Sequence, residues 1–187
     1  KSVIEATKDG AGDLPVSVKT RIGYSTNKID EWLAALIDAE PAAITIHART
    51  RDEASRVPAR WDVVARAAEL AKELRSDPAT RPLIIGNGDV KDLATGRARV
   101  EESHCDGVMI GRGIFGNPWL FNRNLHRDDL PLSEILEVML EHTALYIELL
   151  GEIKPLDLMK KHFKAYVSGF EGAAELRVAV DPVLGPG

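Results

Sequence analysis

The sequence lacks several things, and each absence narrows what the chain can be. It has one cysteine, Cys105, among 187 residues. No internal disulfide framework can therefore form, and the composition fits a reducing compartment, read here as the cytoplasm. No stretch approaches the roughly 20 consecutive apolar residues that a membrane-spanning helix needs. Positive charge is not in excess either: 24 Lys and Arg stand against 29 Asp and Glu, a formal net charge of −5. Splitting the chain uncovers no basic half, because residues 1–118 carry 17 basic and 18 acidic side chains and residues 119–187 carry 7 and 11. Any contact with nucleic acid must rest on local patches. An initial Met and a basic-then-apolar leader are also missing. The first eight residues read as the end of a helix without its N-cap, so the chain is expected to have lost an N-terminal part.

What is present is a globular composition, 44% hydrophobic and 28% charged, with neither internal repeats nor low-complexity tracts. Up to about residue 120, four units follow one another, each a short β-rich run, a loop and an amphipathic stretch. The strands are expected at Pro15–Arg21, Ala43–Arg49, Pro82–Asp89 and Gly107–Gly113. Helices are expected near Ile29–Glu40, Trp61–Arg75 and Leu93–Ser103, on apolar residues such as Trp32, Leu33, Leu36 and Ile37 at three- and four-residue spacing. Alternating β and α elements imply a parallel sheet with right-handed crossovers, either doubly wound or part of a (β/α)₈ barrel. After residue 120 the pattern becomes helical: Ser133 to Leu150 with Gly151 as its stop, Pro155 to Ser168 with Leu158, Met159, His162, Phe163 and Tyr166 on one face, and Ala173–Val180. The domains are accordingly expected at 1–120, a partial barrel, and 121–187, a small all-helical domain.

Side-chain parity favours the barrel. Lys19 and Arg21 share one face of the first strand with Ser17, and His47 and Arg49 share one face of the second with Thr45. Two strands thus place charged or imidazole pairs on one face at their C-terminal ends. In a barrel that end is the catalytic rim, whereas an open sheet would bury these groups under a helix at a cost of several kcal/mol unless they were paired.

The last two strands end in glycine-rich turns, Gly86-Asn87-Gly88-Asp89 and Gly111-Arg112-Gly113. Glycines there let backbone amides approach an anion, and Arg112 adds charge-assisted hydrogen bonds. Barrels commonly hold phosphate after strands seven and eight. The alternative is that these glycines only make tight turns. Lys19 can stabilise negative charge developing on a ring, and His47 can donate to a phosphate or act as an acid. A lone histidine is otherwise a satisfied core residue.

These motifs, with Pro15-Val16-Ser17-Val18-Lys19-Thr20-Arg21-Ile22-Gly23, Ile46-His47-Ala48-Arg49-Thr50-Arg51, Asp106 to Gly113 and Gly116-Asn117-Pro118-Trp119, resemble in order and spacing the signatures of the tRNA-dihydrouridine synthases. The segment Leu158-Met159-Lys160-Lys161-His162-Phe163 is similar to that family's helical domain. The resemblance implies an FMN-containing (β/α)₈ barrel followed by a helical tRNA-binding domain, which reduces tRNA uridines to 5,6-dihydrouridine with NADPH as electron donor. Carried over by position, it implies that Lys19 and His47 contact the flavin ring and phosphate region. Asn87, Gly88 and Asp89 would line the ribityl chain and phosphate, and Gly111 and Arg112 would hold the phosphate. In that mechanism a flavin hydride reaches C6 of the uracil and a cysteine thiol protonates C5, on a base taken out of its stack.

The resemblance places the family's catalytic cysteine in a loop after the fourth barrel strand, upstream of the strand matching Pro15–Arg21, and no residue of this chain occupies that place. Cys105, at the start of the last strand and so at the opposite end of a barrel, reads as a buried structural thiol. No catalytic residue is therefore assigned. The chain is expected to be the C-terminal half of such an enzyme, strands five to eight plus the helical domain, and to be inactive and unstable or oligomeric alone. The tRNA-binding candidates are Arg21, Arg49 and Arg51, with Arg56 and Arg60 nearby, and Lys160, Lys161 and Lys164 on the second helix of the appended domain. A solvated helix face is the alternative for the lysines, and Phe115, Trp119 and Phe121 read as core. No metal site, membrane contact or protein partner is inferred. Two other readings remain open: another FMN or phosphate-binding barrel resembling dihydroorotate dehydrogenase, and a non-catalytic RNA- or phosphate-binding module.

Overall fold

The computed structural model describes residues 1–180. The chain divides into two compact units, Lys1–Gly113 and Ile114–Gly187. The division falls ahead of the boundary at residue 120 read from sequence, because Trp119 packs against the second unit's core and Leu120 is buried.

The first unit runs α1 (Ser2–Ala11), β1 (Ser17–Arg21), α2 (Ile29–Ile37), β2 (Ala43–His47), α3 (Trp61–Leu74), β3 (Leu83–Asn87), α4 (Leu93–Ser103) and β4 (Gly107–Met109). Its four strands form one sheet in the order β1-β2-β3-β4, and all three pairings are parallel. An α/β unit with a parallel sheet and helical crossovers is thus what the alternating pattern builds. Register puts Val18, Ile44 and Ile84 in one row, and Thr20, Ile46, Gly86 and Val108 in another. The helices cover this face. Ile44, Ile46 and Ile84 pack with Leu33, Ile37, Trp61, Val64 and Ala67 in a single core. Gly86 is a packing requirement: a Cβ there would stand 2.4 Å from Cζ3 of Trp61, whose indole Nε1 donates to the Gly88 carbonyl at 3.0 Å. Trp32 lies off the buried stripe of α2, 49% exposed, and donates to Thr20 Oγ1 at 2.8 Å.

The opposite face carries Ser17, Lys19 and Arg21 of β1, Ala43, Thr45 and His47 of β2, Leu83, Ile85 and Asn87 of β3, and Gly107 and Met109 of β4. Leu83 is 53% and Met109 38% exposed on it. The strands are shorter than the apolar runs suggested. β2 stops at His47 because the Arg49 amide turns back to the His47 carbonyl at 2.7 Å. β3 stops at Asn87 because Gly88 and Asp89 both take positive φ, 127° and 54°, which Gly accommodates and Asp tolerates.

The second unit contains α5 (Leu132–Leu150), a 3-10 turn at Leu156–Met159, α6 (Lys160–Tyr166) and α7 (Ala173–Val180). Ile135, Met139, Met159, Phe163, Tyr166, Val167 and Ala173 form its core. Arg127 donates to the carbonyls of Tyr166 and Ser168 at 2.9 and 3.2 Å. The turn that begins the Pro155–Ser168 stretch rotates Leu158 out to 46% exposure, so it leaves the face the helical spacing gave it. Phe121, read as core, is 62% exposed. No helix among the described residues is long and apolar enough to cross a membrane.

Candidate functional site

The parallel register collects one residue from each strand end into a row: Arg21, His47, Asn87 and Met109. Above this row the loops that follow the strands enclose a cleft of about 570 Å³. Arg21, His47, Arg49, Asn87, Gly88, Asp89, Gly111 and Arg112 all line it, and so do Ser55 and Lys91. The sequence motifs thus converge in space, although β1 and β4 are far apart along the chain.

Arg49 organises this cleft from below. It is 3% exposed; its Nη2 donates to Asp89 Oδ1 and Oδ2 at 2.7 and 2.5 Å, and its Nε donates to the Val57 carbonyl at 2.6 Å. Asp89 also accepts from the Ala59 amide at 2.8 Å and lies 3.6 Å from Arg112 Nη2. The Arg49 hydrogen bond, helped by that amide and by the nearby charges, holds the Asp89 carboxyl below the usual carboxylate range. With its guanidinium so enclosed, Arg49 ties the turn after β3 to the loop after β2.

Arg49 Nη1 lies 3.3 Å from His47 Nε2. Arginine can only donate, so Nε2 accepts and the neutral ring carries its proton on Nδ1. Burial first, then the charges of Arg21, Lys19 and Arg49, push the His47 pKa down to about 4. At neutral pH this imidazole is uncharged, with one N–H to offer. Asn87 donates from Nδ2 to the Met109 carbonyl at 2.8 Å, which pins β3 to β4 below the cleft floor. Arg21 donates from Nη1 to the carbonyls of Thr50 and Ala54 at 2.9 and 3.1 Å, tying the loop after β2 to the end of β1.

The side of the cleft that carries Gly111 and Arg112 is more open. The Arg112 side chain is 69% exposed, and a Cβ on Gly111 would meet nothing within 4 Å. Lys91 joins them in the lining, a residue that sequence reading passed over. The signal was its place two residues after Gly88-Asp89, at the end of the same turn. Lys19 does not line the cleft. It sits one row below His47 on the uncovered face, opposite Thr45, and loss of solvent together with the Arg21 charge lowers its pKa below the ordinary lysine value.

Other basic candidates lie elsewhere. Arg51 stacks 5.2 Å from the Tyr24 ring centroid with a side chain 67% exposed. Arg60 pairs with Glu53 at 2.6 Å, and Arg56 donates to the Asp52 carbonyl. On α6, Lys160 pairs with Asp157 at 3.4 Å, Lys161 lies 5.3 Å from the Phe115 ring centroid, and Lys161 and Lys164 are exposed. Cys105 is buried before β4, where Ser103 Oγ donates to its sulfur at 3.2 Å and the thiol donates to the Gly107 carbonyl at 3.1 Å.

The sequence matches the family described as dihydrouridine synthase (Dus) over residues 1–186. It is 41% identical over 179 residues to a probable tRNA-dihydrouridine synthase of Staphylococcus aureus (strain MRSA252), covering 94% of this chain and 52% of that protein. It is 40% identical over 177 residues to the probable tRNA-dihydrouridine synthase 2 of Bacillus subtilis (strain 168), with the same coverage. The chain spans about half the length of the curated relatives it matches. With this match over residues 1–186, the chain belongs to the dihydrouridine synthase family.

Proposed function

We propose that this chain contributes the flavin-phosphate cleft and an RNA-binding helical domain to an enzyme that reduces uridine in tRNA to 5,6-dihydrouridine, with FMN as cofactor and NADPH as electron donor. In that reading its four strands are strands five to eight of a (β/α)₈ barrel. The observation that carries the proposal is the convergence of Gly111, Arg112 and Lys91 on one open cleft above the ends of β3 and β4.

The residues present fit an FMN phosphate on physical grounds. Two cationic side chains and a glycine with free space around it border the same cavity, the combination that charge-assisted phosphate binding uses. Bound FMN would supply the hydride for one carbon of the uracil C5–C6 bond, the other carbon taking a proton. This chain's part is to hold and to polarise. The ammonium of Lys19, on the uncovered face, would stabilise negative charge developing on the flavin ring. Neutral His47 donates from Nδ1, its orientation set by Arg49. Asp89 offers no free carboxylate to an anion, because Arg49 and the Ala59 amide occupy it. Lys161 and Lys164 face solvent and serve as phosphate contacts for tRNA.

The test is FMN titration by flavin fluorescence, on the chain joined to the half of the Staphylococcus aureus relative that it does not cover. Arg112→Ala combined with Lys91→Ala should weaken FMN binding by about 10-fold or more, the loss of two charge-assisted bonds. The joined protein should then form dihydrouridine from unmodified tRNA and NADPH. A joined, folded protein that binds no flavin would refute the reading.

A further inference from the structure

The helical unit has a cavity of its own, about 420 Å³, between the segment 114–118, α5 and α6. Its wall is aromatic and polar at once. The Phe115 and His162 rings are tilted by 56° to each other with centroids 4.8 Å apart, and His142 meets His162 edge-on at 5.0 Å. The His142 Nδ1 lies 3.3 Å from the hydroxyl of buried Tyr166. Val138 and Leu145 supply the apolar side, and the exposed Lys161 ammonium stands 5.3 Å from the Phe115 ring centroid. We propose that this cavity receives one unpaired nucleotide of RNA, its base against the Phe115 and His162 rings and its phosphodiester beside Lys161.

Three features select that ligand class. The volume lies near the lower end of ligand-sized cavities, ~300–1,000 Å³, enough for one nucleoside but not for a folded strand. The rings give a sequence-tolerant stacking surface, and burial, with the neighbouring His142 and Lys161, lowers the His162 pKa, so that the stacking ring is a neutral imidazole. The charge supply is small: Glu141 lines the cavity, and the Lys161 ammonium stands 5.3 Å from the ring of Phe115, a lining residue. A singly charged phosphodiester suits that balance better than the multiply charged phosphate of a free nucleotide.

The inference rests on the tRNA-binding reading above and goes beyond it by assigning a pocket. The test uses the full chain, an unmodified tRNA transcript, a short single-stranded oligouridine, and uridine monophosphate as the free-nucleotide control. Leu145 is 47% exposed, so Leu145→Arg fills the mouth without removing a hydrogen bond. It also adds a positive charge, which alone would strengthen RNA binding. Both RNAs should bind the parent and move the ring resonances of His142 and His162. Leu145→Arg should weaken both by about 10-fold, the value of one stacked base, with an unchanged circular dichroism spectrum. Equal RNA affinity in parent and variant would overturn the pocket and leave tRNA binding standing. A parent that binds neither RNA would overturn the pocket and the tRNA-binding reading together. Shifts of the histidine rings with uridine monophosphate but not with RNA would overturn the RNA assignment in favour of a free-nucleotide site.

Discussion

Replacing Arg49 with Ala separates a positioning role from a surface RNA contact. The guanidinium is 3% exposed and the Asp89 side chain 34%. Removing one partner of a fully buried ion pair costs ~3–5 kcal/mol, because the other charge is left uncompensated. Asp89 keeps partial access to water, where exposed pairs are worth only ~0–1 kcal/mol. The carboxylate can therefore resolvate in part, and the loss should be about 2–3 kcal/mol. The assay is urea unfolding followed by tryptophan fluorescence, since Trp61 is 6% exposed in the same core and donates to Gly88 next to Asp89. Arg49→Ala with Asp89→Ala together should lose less than the sum of the single changes, because one interaction is counted twice. A single Arg49→Ala variant destabilised by less than ~0.5 kcal/mol, the range of ordinary surface changes, would refute the buried-pair reasoning.

The His47 imidazole gives a pH prediction. Its pKa falls to about 4 in the folded chain from an ordinary value of 6.5, so between those values the unfolded state binds more protons and stability rises with pH. Unfolding free energy should therefore drop as pH is lowered from 6.5 towards 4, and His47→Gln should flatten that slope; a slope identical in parent and variant counts against the assigned tautomer and environment. Gly116 has φ 67°, and a Cβ on it would stand 2.6 Å from the Ala165 carbonyl carbon, so Gly116→Ala should destabilise the helical unit by about 1–3 kcal/mol or more, read from thermal melting. Lys161→Ala and Lys164→Ala should each reduce the slope of log affinity for tRNA against log salt by about 1, measured by filter binding; unchanged slopes would place these lysines on a solvated face only.

The strand motifs were legible because parity along a strand is a local property. Lys19, Arg21 and His47 do share a face, as alternation requires. The burial of Arg49 was not legible, because it depends on a backbone turn after His47 and on an acceptor, Asp89, forty residues away in sequence. Lys91 escaped notice since no periodic pattern marks it; only the fold brings it beside Arg112. In the helical unit the spacing identified Phe163 and Tyr166 as buried, yet it missed the exposure of Leu158, because a 3-10 turn advances side chains by a different angle from an α-helix.

By itself the sequence determined the α/β alternation, the family, the parallel order of the strands and the set of polar residues at their C-terminal ends, since each of these follows from local periodicity or short motifs. The tertiary structure alone decided which arginine is buried and which stays exposed, which lysine joins Arg112 in lining the cleft, and that Phe115, His142, His162 and Tyr166 line a cavity. Those outcomes depend on distances between segments far apart in the chain, and on the solvent each charged group keeps once the segments have packed.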